Sequence, residues 1–372
     1  MIQTGGRIPA KKKSFTHFFI FTFFLALIFS CSQDGKKTAS KSYLPIARGA
    51  DGVILVVMDS ALWVDSLGAE LRRTLSEPVI GLPQDEPYFT IRQINPRKLN
   101  DILKAAKNML FVTTLDHRSL QSTVMRKFMT DESLERIKTE PDLFQYSNKD
   151  AFARGQEVLH LFGQTQNQLI SKIIENRSSI KNFFMEAEKK RISEEIFRKE
   201  EKNITKIIER DHQFSLKIPY GFDIAKQDKN FVWIRFLLEQ GNIEKSVFVH
   251  YTDYRSKEPF DQPVEYRESI TSVNMRDSQK TDLYMTTQKI NHQIKEVNFN
   301  GMYAKETRGL WMFSDISGGG AFVSYIFVDE SQKRIYYLEG YVYAPGKDKR
   351  QFMREMEVVL STFKSGEALK AK

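Results

Sequence analysis

A single cysteine in 372 residues, Cys31, leaves no intramolecular disulfide, cysteine-based zinc cluster or cysteine–histidine dyad open to this chain. The fold must therefore be held by packing and hydrogen bonds. Histidines are few and scattered: beyond the first thirty residues they are His117, His160, His212, His250 and His292, with no HExxH motif or helical histidine pair, so zinc hydrolysis has no footing. There is no GxSxG elbow for a serine nucleophile. Gly318-Gly319-Gly320 lacks the lysine and helix start of a phosphate-cradling loop and reads as a flexible turn between strands. No metal, cofactor or catalytic residue is expected from these patterns.

The formal charge of +9 is less than it looks. Arg7 and Lys11 to Lys13 lie in a leader without acids, so the remainder carries +5, scattered among many acids. That distribution describes a solvated surface and no nucleic-acid partner.

The leader has the order of an export signal: basic residues, then an apolar run from Phe15 to Phe29. Fifteen residues fall short of the roughly 20 that a stable spanning helix needs. Ile28-Phe29-Ser30-Cys31 resembles a lipobox, in which a small residue precedes the cysteine whose thiol accepts diacylglycerol; Phe29 departs from the commoner small residue there. An uncleaved signal anchor, or a free cysteine beside an ordinary signal peptide, would also export the domain. The expectation is a signal peptide over 1–30, a lipidated Cys31, and a flexible tether over 31–50, rich in Lys, Ser and Gly after the cysteine. Several acyl chains, at about 0.8 kcal/mol per buried CH₂, make such attachment stable. The chain is then exported and held at the cell envelope by its lipid, at the outer rather than the inner membrane.

Within the body, apolar content of 41% suffices for two cores. Val53 to Met58 reads as a strand buried on both faces, followed by a helix capped by Asp59 or Ser60 and ended by Glu77-Pro78. Tyr88 to Ile94 and Met109 to Leu115 are further strands, with a helix from Pro96 to about Lys107 between them, so residues 51–147 read as an α/β domain. Ser119 to Lys138 is ambiguous. From about Asp150 to Arg210 there is no proline, and apolar residues recur at helical spacing, which predicts a long helix or helical hairpin over 148–211, with a bend near Asn176 to Ser179.

Beyond Gln213 the period changes to two. Phe214–Ile218, Phe231–Phe236, Ser246–Tyr251, Leu310–Phe313, Ala321–Val328 and Arg334–Tyr343 read as antiparallel strands, with helices near Pro263–Arg276 and Lys347–Phe363 covering one face. Residues 212–372 are thus expected to form an α+β sandwich. The segments Lys217-Ile218-Pro219-Tyr220-Gly221-Phe222 and Ser361-Thr362-Phe363-Lys364 loosely resemble the Mog-one and photosystem-protein-P-like fold. Together, Val53 to Trp63, GLPQDEP at 81–87, Lys107-Asn108-Met109-Leu110 and Asn230 to Arg235 make the chain resemble uncharacterised lipoproteins catalogued as domain of unknown function 4837. The resemblance spans nearly the whole mature chain. It implies an envelope protein of Bacteroidota-type bacteria and carries over no catalytic residue.

Individual residues invite chemistry. Asp59 ends a strand, where phosphoacceptor and metal-binding aspartates sit in α/β folds, but helix capping explains it more simply. Asp85 and Glu86 are too few for Ca²⁺, though their loop, with Tyr88 and Phe89 nearby, has the look of a docking surface. Trp233, Trp311, Tyr336, Tyr337, Tyr341 and Tyr343 would either build sheet faces or form an aromatic platform for carbohydrate. Arg235, between Ile234 and Phe236, should face solvent or an acidic partner. The function expected is therefore binding of a protein or small ligand rather than catalysis. The alternative is an envelope hydrolase using two of Asp59, Glu86, Asp315 and Glu339, and a third reading is a scaffold oligomerising through 150–210.

Overall fold

The computed structural model describes residues 43–370 apart from 278, 281 and 291; the leader, Cys31 and most of the tether lie outside the described residues. Leu44–Lys372 cluster as one unit.

Its N-terminal part is organised by β1 (Val53–Val57), whose Ile54 and Val56 pack on one side and Val57 on the other. Covering on both faces is what a continuous apolar run demands. Around β1 stand β2 (Thr90–Ile94), β3 (Asn108–Thr114), β4 (Gln145–Lys149) and β5 (Glu157–Gly163) in the order β2-β1-β3-β5-β4. All pairings are parallel except β4 with β5. Helices α1 (Ser60–Val64) and α2 (Ser66–Leu75) join β1 to β2, and α3 (Asp101–Lys104) precedes β3. The helix expected from Pro96 to Lys107 shrinks to a 3-10 turn and α3, because Asn95 and Asn100 each stop the chain and cap a new start. The ambiguous stretch after β3 holds α4 (Leu120–Arg126) and α5 (Asp131–Thr139), capped by Ser119 and Thr130.

The long helix expected from 148 is corrected at its start. Val158 and Phe162, read there as a helical stripe, lie in β5, where an uninterrupted Val-Leu-His-Leu-Phe run is enclosed between β3 and β4. Four-residue spacing of apolar groups fits a helix and a fully buried strand alike. Three helices follow in place of one: α6 (Gln166–Glu175), α7 (Arg177–Ile196) and α8 (Lys202–His212), with the first break at Asn176.

The second part is an antiparallel sheet in the order β10-β12-β13-β14-β9-β8-β7, with β11 added on β12. Its strands are β7 (Asp223–Asp228), β8 (Phe231–Leu238), β9 (Ile243–Asp253), β10 (Met285–Thr287), β11 (Gln293–Phe299), β12 (Met302–Phe313), β13 (Gly319–Asp329) and β14 (Arg334–Tyr343). Phe214–Ser215 (β6) pairs with Lys364–Ser365 (β15) apart from this sheet. Helices α9 (Glu258–Asp261) and α10 (Pro263–Asn274) precede β10, and α11 (Arg350–Leu360) and α12 (Gly366–Lys370) close the chain. The architecture is α+β.

Both faces of this sheet are covered, where one was expected. Ile270 of α10 packs on the face carrying Phe231, Phe248, Trp311, Phe322, Tyr337 and Tyr341, while Met353, Met356, Val359 and Leu360 of α11 with Ile208 of α8 seal the other. Gly319 and Gly320 pair with Met312 and Trp311 inside β13 and so belong to the ladder, not to a loose turn. A Cβ on Gly320 would lie 1.9 Å from the Val342 carbonyl oxygen, so absence of a side chain is what the site requires.

The GLPQDEP loop ties the two parts together. Glu86, 6% exposed, accepts the Lys349 N–H on Oε1 at 2.7 Å and the Arg350 N–H on Oε2 at 2.8 Å. Lys349 makes no side-chain cap of its own, so a carboxylate 263 residues away satisfies the orphan donors of α11 and meets its positive end. Glu86→Ala is expected to cost about 1–3 kcal/mol, read as a lower urea midpoint. A midpoint unchanged from wild type would remove this capping role.

Candidate functional site

In an open α/β sheet, ligands bind beyond the carboxyl ends of the strands where the strand order reverses. Here the chain leaves β1 toward β2 on one side and returns to β3 on the other, so that position lies between β1 and β3. Asp59 follows β1, and His117, Ser119 and Ser122 follow β3.

The structure brings these four together. Asp59, 3% exposed, caps α1 by accepting the Ala61 N–H on Oδ1 at 2.8 Å. Its Oδ2 accepts the hydroxyls of Ser119 and Ser122, the latter at 3.2 Å, and lies 3.3 Å from His117 Nε2. Ser119 in turn accepts the Ser122 N–H at 3.0 Å as the cap of α4. Gln121 Oε1 accepts the Ser60 N–H at 2.9 Å and its hydroxyl at 3.1 Å, and Gln93 donates to Ser60 Oγ at 3.3 Å and to the Met58 carbonyl at 3.0 Å. Arg126 holds the His117 carbonyl. Val64 and Leu120, both exposed, supply apolar surface on α1 and α4.

Burial pushes the Asp59 carboxyl pKa up, but hydrogen bonds from Ser119, Ala61 and Ser122 and the neighbouring His117 outweigh it and hold the group below the ordinary carboxylate range. A carboxylate so stabilised is a weak base. Among the described residues no hydrogen bond joins Ser119 to His117, so the hydroxyl faces the acid directly and the nucleophile–imidazole link of a serine hydrolase is missing. The arrangement presents fixed donors, acceptors and a half-exposed imidazole. Its capping role, read from sequence, is present; the three partners beyond β3 were not read. Their signal was available, since His117 and Ser119 follow one apolar strand as Asp59 follows another.

The other candidates separate. Glu86 serves α11, and the docking surface imagined beside it is occupied: Phe89 is buried in the core and Tyr88 lies under Lys181 Nζ at 4.4 Å. Asp315 accepts the Ser317 N–H in the turn before β13. Glu339 is paired with Arg267 under α10. Trp311, Tyr336, Tyr337 and Tyr341 are buried and form no platform; rings that do line an open cleft, of about 1100 Å³, are Tyr254, Phe260, Tyr303 and Phe363. That cleft is remote in sequence from Asp59 and holds none of its cluster. Arg235 faces Asp223 at 3.8 Å and lies over Trp233. Among the described residues no group of three His, Cys, Asp or Glu side chains is placed to hold a metal ion, and no helix is long and apolar enough to cross a membrane.

Two family models cover the body. The Domain of unknown function (DUF4837) matches residues 201–362, and the Domain of unknown function (DUF8532) matches residues 47–197. The likeness expected over nearly the whole mature chain thus divides between two families. No curated protein matches. Among solved structures, the Ran-binding protein Mog1p of Saccharomyces cerevisiae is similar at 11% identity, covering 42% of this chain and 93% of that one, with a TM-score of 0.29. LpqN, involved in cell envelope biogenesis of Mycobacterium tuberculosis, is similar at 10% identity over 40% of this chain and 81% of its own, with a TM-score of 0.26.

Proposed function

We propose, for a chain whose residues 201–362 belong to the DUF4837 family, that it is a lipid-anchored binding protein of the cell envelope. Anchoring is proposed through Cys31, after removal of the leader, with attachment to the outer membrane; this rests on the lone cysteine closing a charged and then apolar segment. Binding is proposed at the carboxyl edge between β1 and β3, and would take a protein segment or a small polar ligand.

The observation that carries binding over catalysis is the saturation of Asp59. Its two oxygens already meet a backbone N–H, two hydroxyls and an imidazole, so it orients its neighbours and has little basicity left for proton abstraction. Val64 on α1 and Leu120 on α4 add exposed apolar surface to the two helices that carry these polar groups.

Fractionation of cells and mass analysis of the mature protein test the reading. The expected product begins at Cys31 and carries diacylglycerol, and Cys31→Ser is expected to move the protein out of the membrane fraction. An intact leader or an unmodified thiol would refute the anchor. Turnover of a peptide or glycan substrate that Asp59→Asn abolishes would replace binding by hydrolysis.

A further inference from the structure

The cleft of about 1100 Å³ shares no residue with the edge beside Asp59. Tyr303 and Trp311 lie an even number of residues apart in β12 and so stand on one face of it, but their surroundings differ. Trp311 packs with Ile270 of α10 and is 2% exposed, whereas Tyr303 is 57% exposed and lines the cleft. Phe260 of α9 stands beside Tyr303, ring centroids 6.0 Å apart. Tyr254, 43% exposed, is fixed at the same cleft by its N–H to the Lys333 carbonyl at 2.9 Å. Two tyrosine rings are thus left open to a ligand.

The charges around these rings cancel. Four lysines and five acids line the cleft. Lys305 Nζ lies 3.4 Å from Glu296 and Lys257 Nζ 3.7 Å from Asp261, and Asp329 accepts the hydroxyls of Ser331 and Ser365, each at 2.6 Å. What remains, Lys333, Lys364, Glu330 and Glu367, is two of each sign, all exposed. An ion of either sign would lose to one neighbour what it gains from the next, so the cleft has no field to select one. Its side chains still offer donors and acceptors to a neutral ligand. Glu296, Asp261 and Lys257 are exposed and can be reached, and Glu296 accepts the Tyr303 hydroxyl, which holds that ring in place.

We propose that this cleft binds a neutral oligosaccharide: Tyr303 and Tyr254 take the C–H faces of sugar rings, while Glu296, Asp261 and Lys257 bond their hydroxyls. A sugar combines an apolar face, a rim of donors and acceptors, and no net charge, which is the complement of this lining. Pockets for compact organic ligands measure roughly 300–1,000 Å³, so the cleft has room for several sugar rings. A peptide would be held best along a free strand edge. Tyr303 and Lys305, however, belong to β12, which is paired on both sides.

The test is calorimetric titration of the full-length protein, in a detergent without a sugar headgroup, with maltotetraose, cellotetraose and chitotetraose as probes and tetraalanine as the peptide control. Saturable binding of at least one glycan is expected. Its affinity should stay within about twofold between roughly 0.05 and 0.5 M salt, because no ion pair is made to it. Tyr303→Ala should weaken that glycan roughly tenfold or more, the cost of removing an aromatic anchor, whereas Tyr303→Trp keeps a ring there and should stay within about threefold of wild type. If Tyr303→Ala fails to fold by circular dichroism, Tyr254→Ala carries the same expectation at the other exposed ring. No saturation by any of the three glycans up to about 10 mM, an affinity that falls steeply with salt or is untouched by loss of the ring, or tetraalanine bound as tightly as the best glycan, would overturn the proposal.

Discussion

Arg267→Met is expected to remove about 3–5 kcal/mol of stability, because it strands a buried carboxylate. Arg267 and Glu339 are 1% and 0% exposed, and the guanidinium meets both carboxylate oxygens, at 2.8 and 2.7 Å. The remaining donors are used as well: Nη1 reaches Thr287 Oγ1 at 2.9 Å, and the plane lies 4.2 Å from the Phe322 ring centroid. Burial pulls the Arg267 pKa down, but Glu339 outweighs it and keeps the group above its ordinary value; burial pushes the Glu339 carboxyl up. Without the arginine, Glu339 keeps only the Tyr337 hydroxyl as a donor from this cluster. The double variant Arg267→Met with Glu339→Leu should recover more than half of the loss, since the fully buried carboxylate is then gone and the part-exposed Glu268, 3.7 Å from Arg267, keeps its bonds to Thr286 and Thr287. Urea denaturation of the three proteins checks this; a single variant within about 1 kcal/mol of wild type would show that the pair carries little of the C-terminal fold.

Stability is also expected to fall as pH drops from 6.5 toward 4, before most carboxylates titrate. His160 is stacked on Phe111 at 4.9 Å, and His250 bonds Asn230 at 3.2 Å beside the Tyr266 ring. Burial lowers the pKa of each from 6.5 to about 4. The unfolded chain therefore takes up these two protons at higher pH than the folded one does. The stabilisation is complete above the unfolded value and is lost as pH falls toward the folded one. Each histidine contributes up to about 3 kcal/mol to this loss. Urea midpoints measured at half-unit steps from pH 7.5 to 4 should show the slope. His160→Phe combined with His250→Gln should flatten it, and an undiminished slope in that double variant would assign the effect to other groups. Glu188 acts in a lower window. Burial works to raise its pKa, but Arg191 and Asn108 prevail and hold it below the usual range, so its support persists until the solution is more acid.

The strands were legible wherever their neighbours left one choice. Val53–Val57 and Asn108–Thr114 are apolar runs short enough to be strands, and both are buried on each side of one sheet. Val158 to Phe162 misled because its spacing satisfies helix and strand equally, and only placement between β3 and β4 decides. The aromatics of β12 to β14 fit either sheet faces or a platform by local pattern; α10 over Trp311, Tyr337 and Tyr341, and α11 on the face of Tyr336, made them core.

Composition and order along the chain determined that no intramolecular disulfide staples this protein, that its first thirty residues are basic and then apolar, and that parallel-type strands precede antiparallel ones. These are properties of residues and their near neighbours. Tertiary structure alone decided that Asp59 meets His117, Ser119 and Ser122, that Glu86 caps a helix 263 residues away, and that Arg267 and Glu339 are buried as a pair. The reason is physical: a hydrogen bond or a desolvation cost depends on what lies within about 3 Å, and strand order, not sequence distance, sets that neighbourhood.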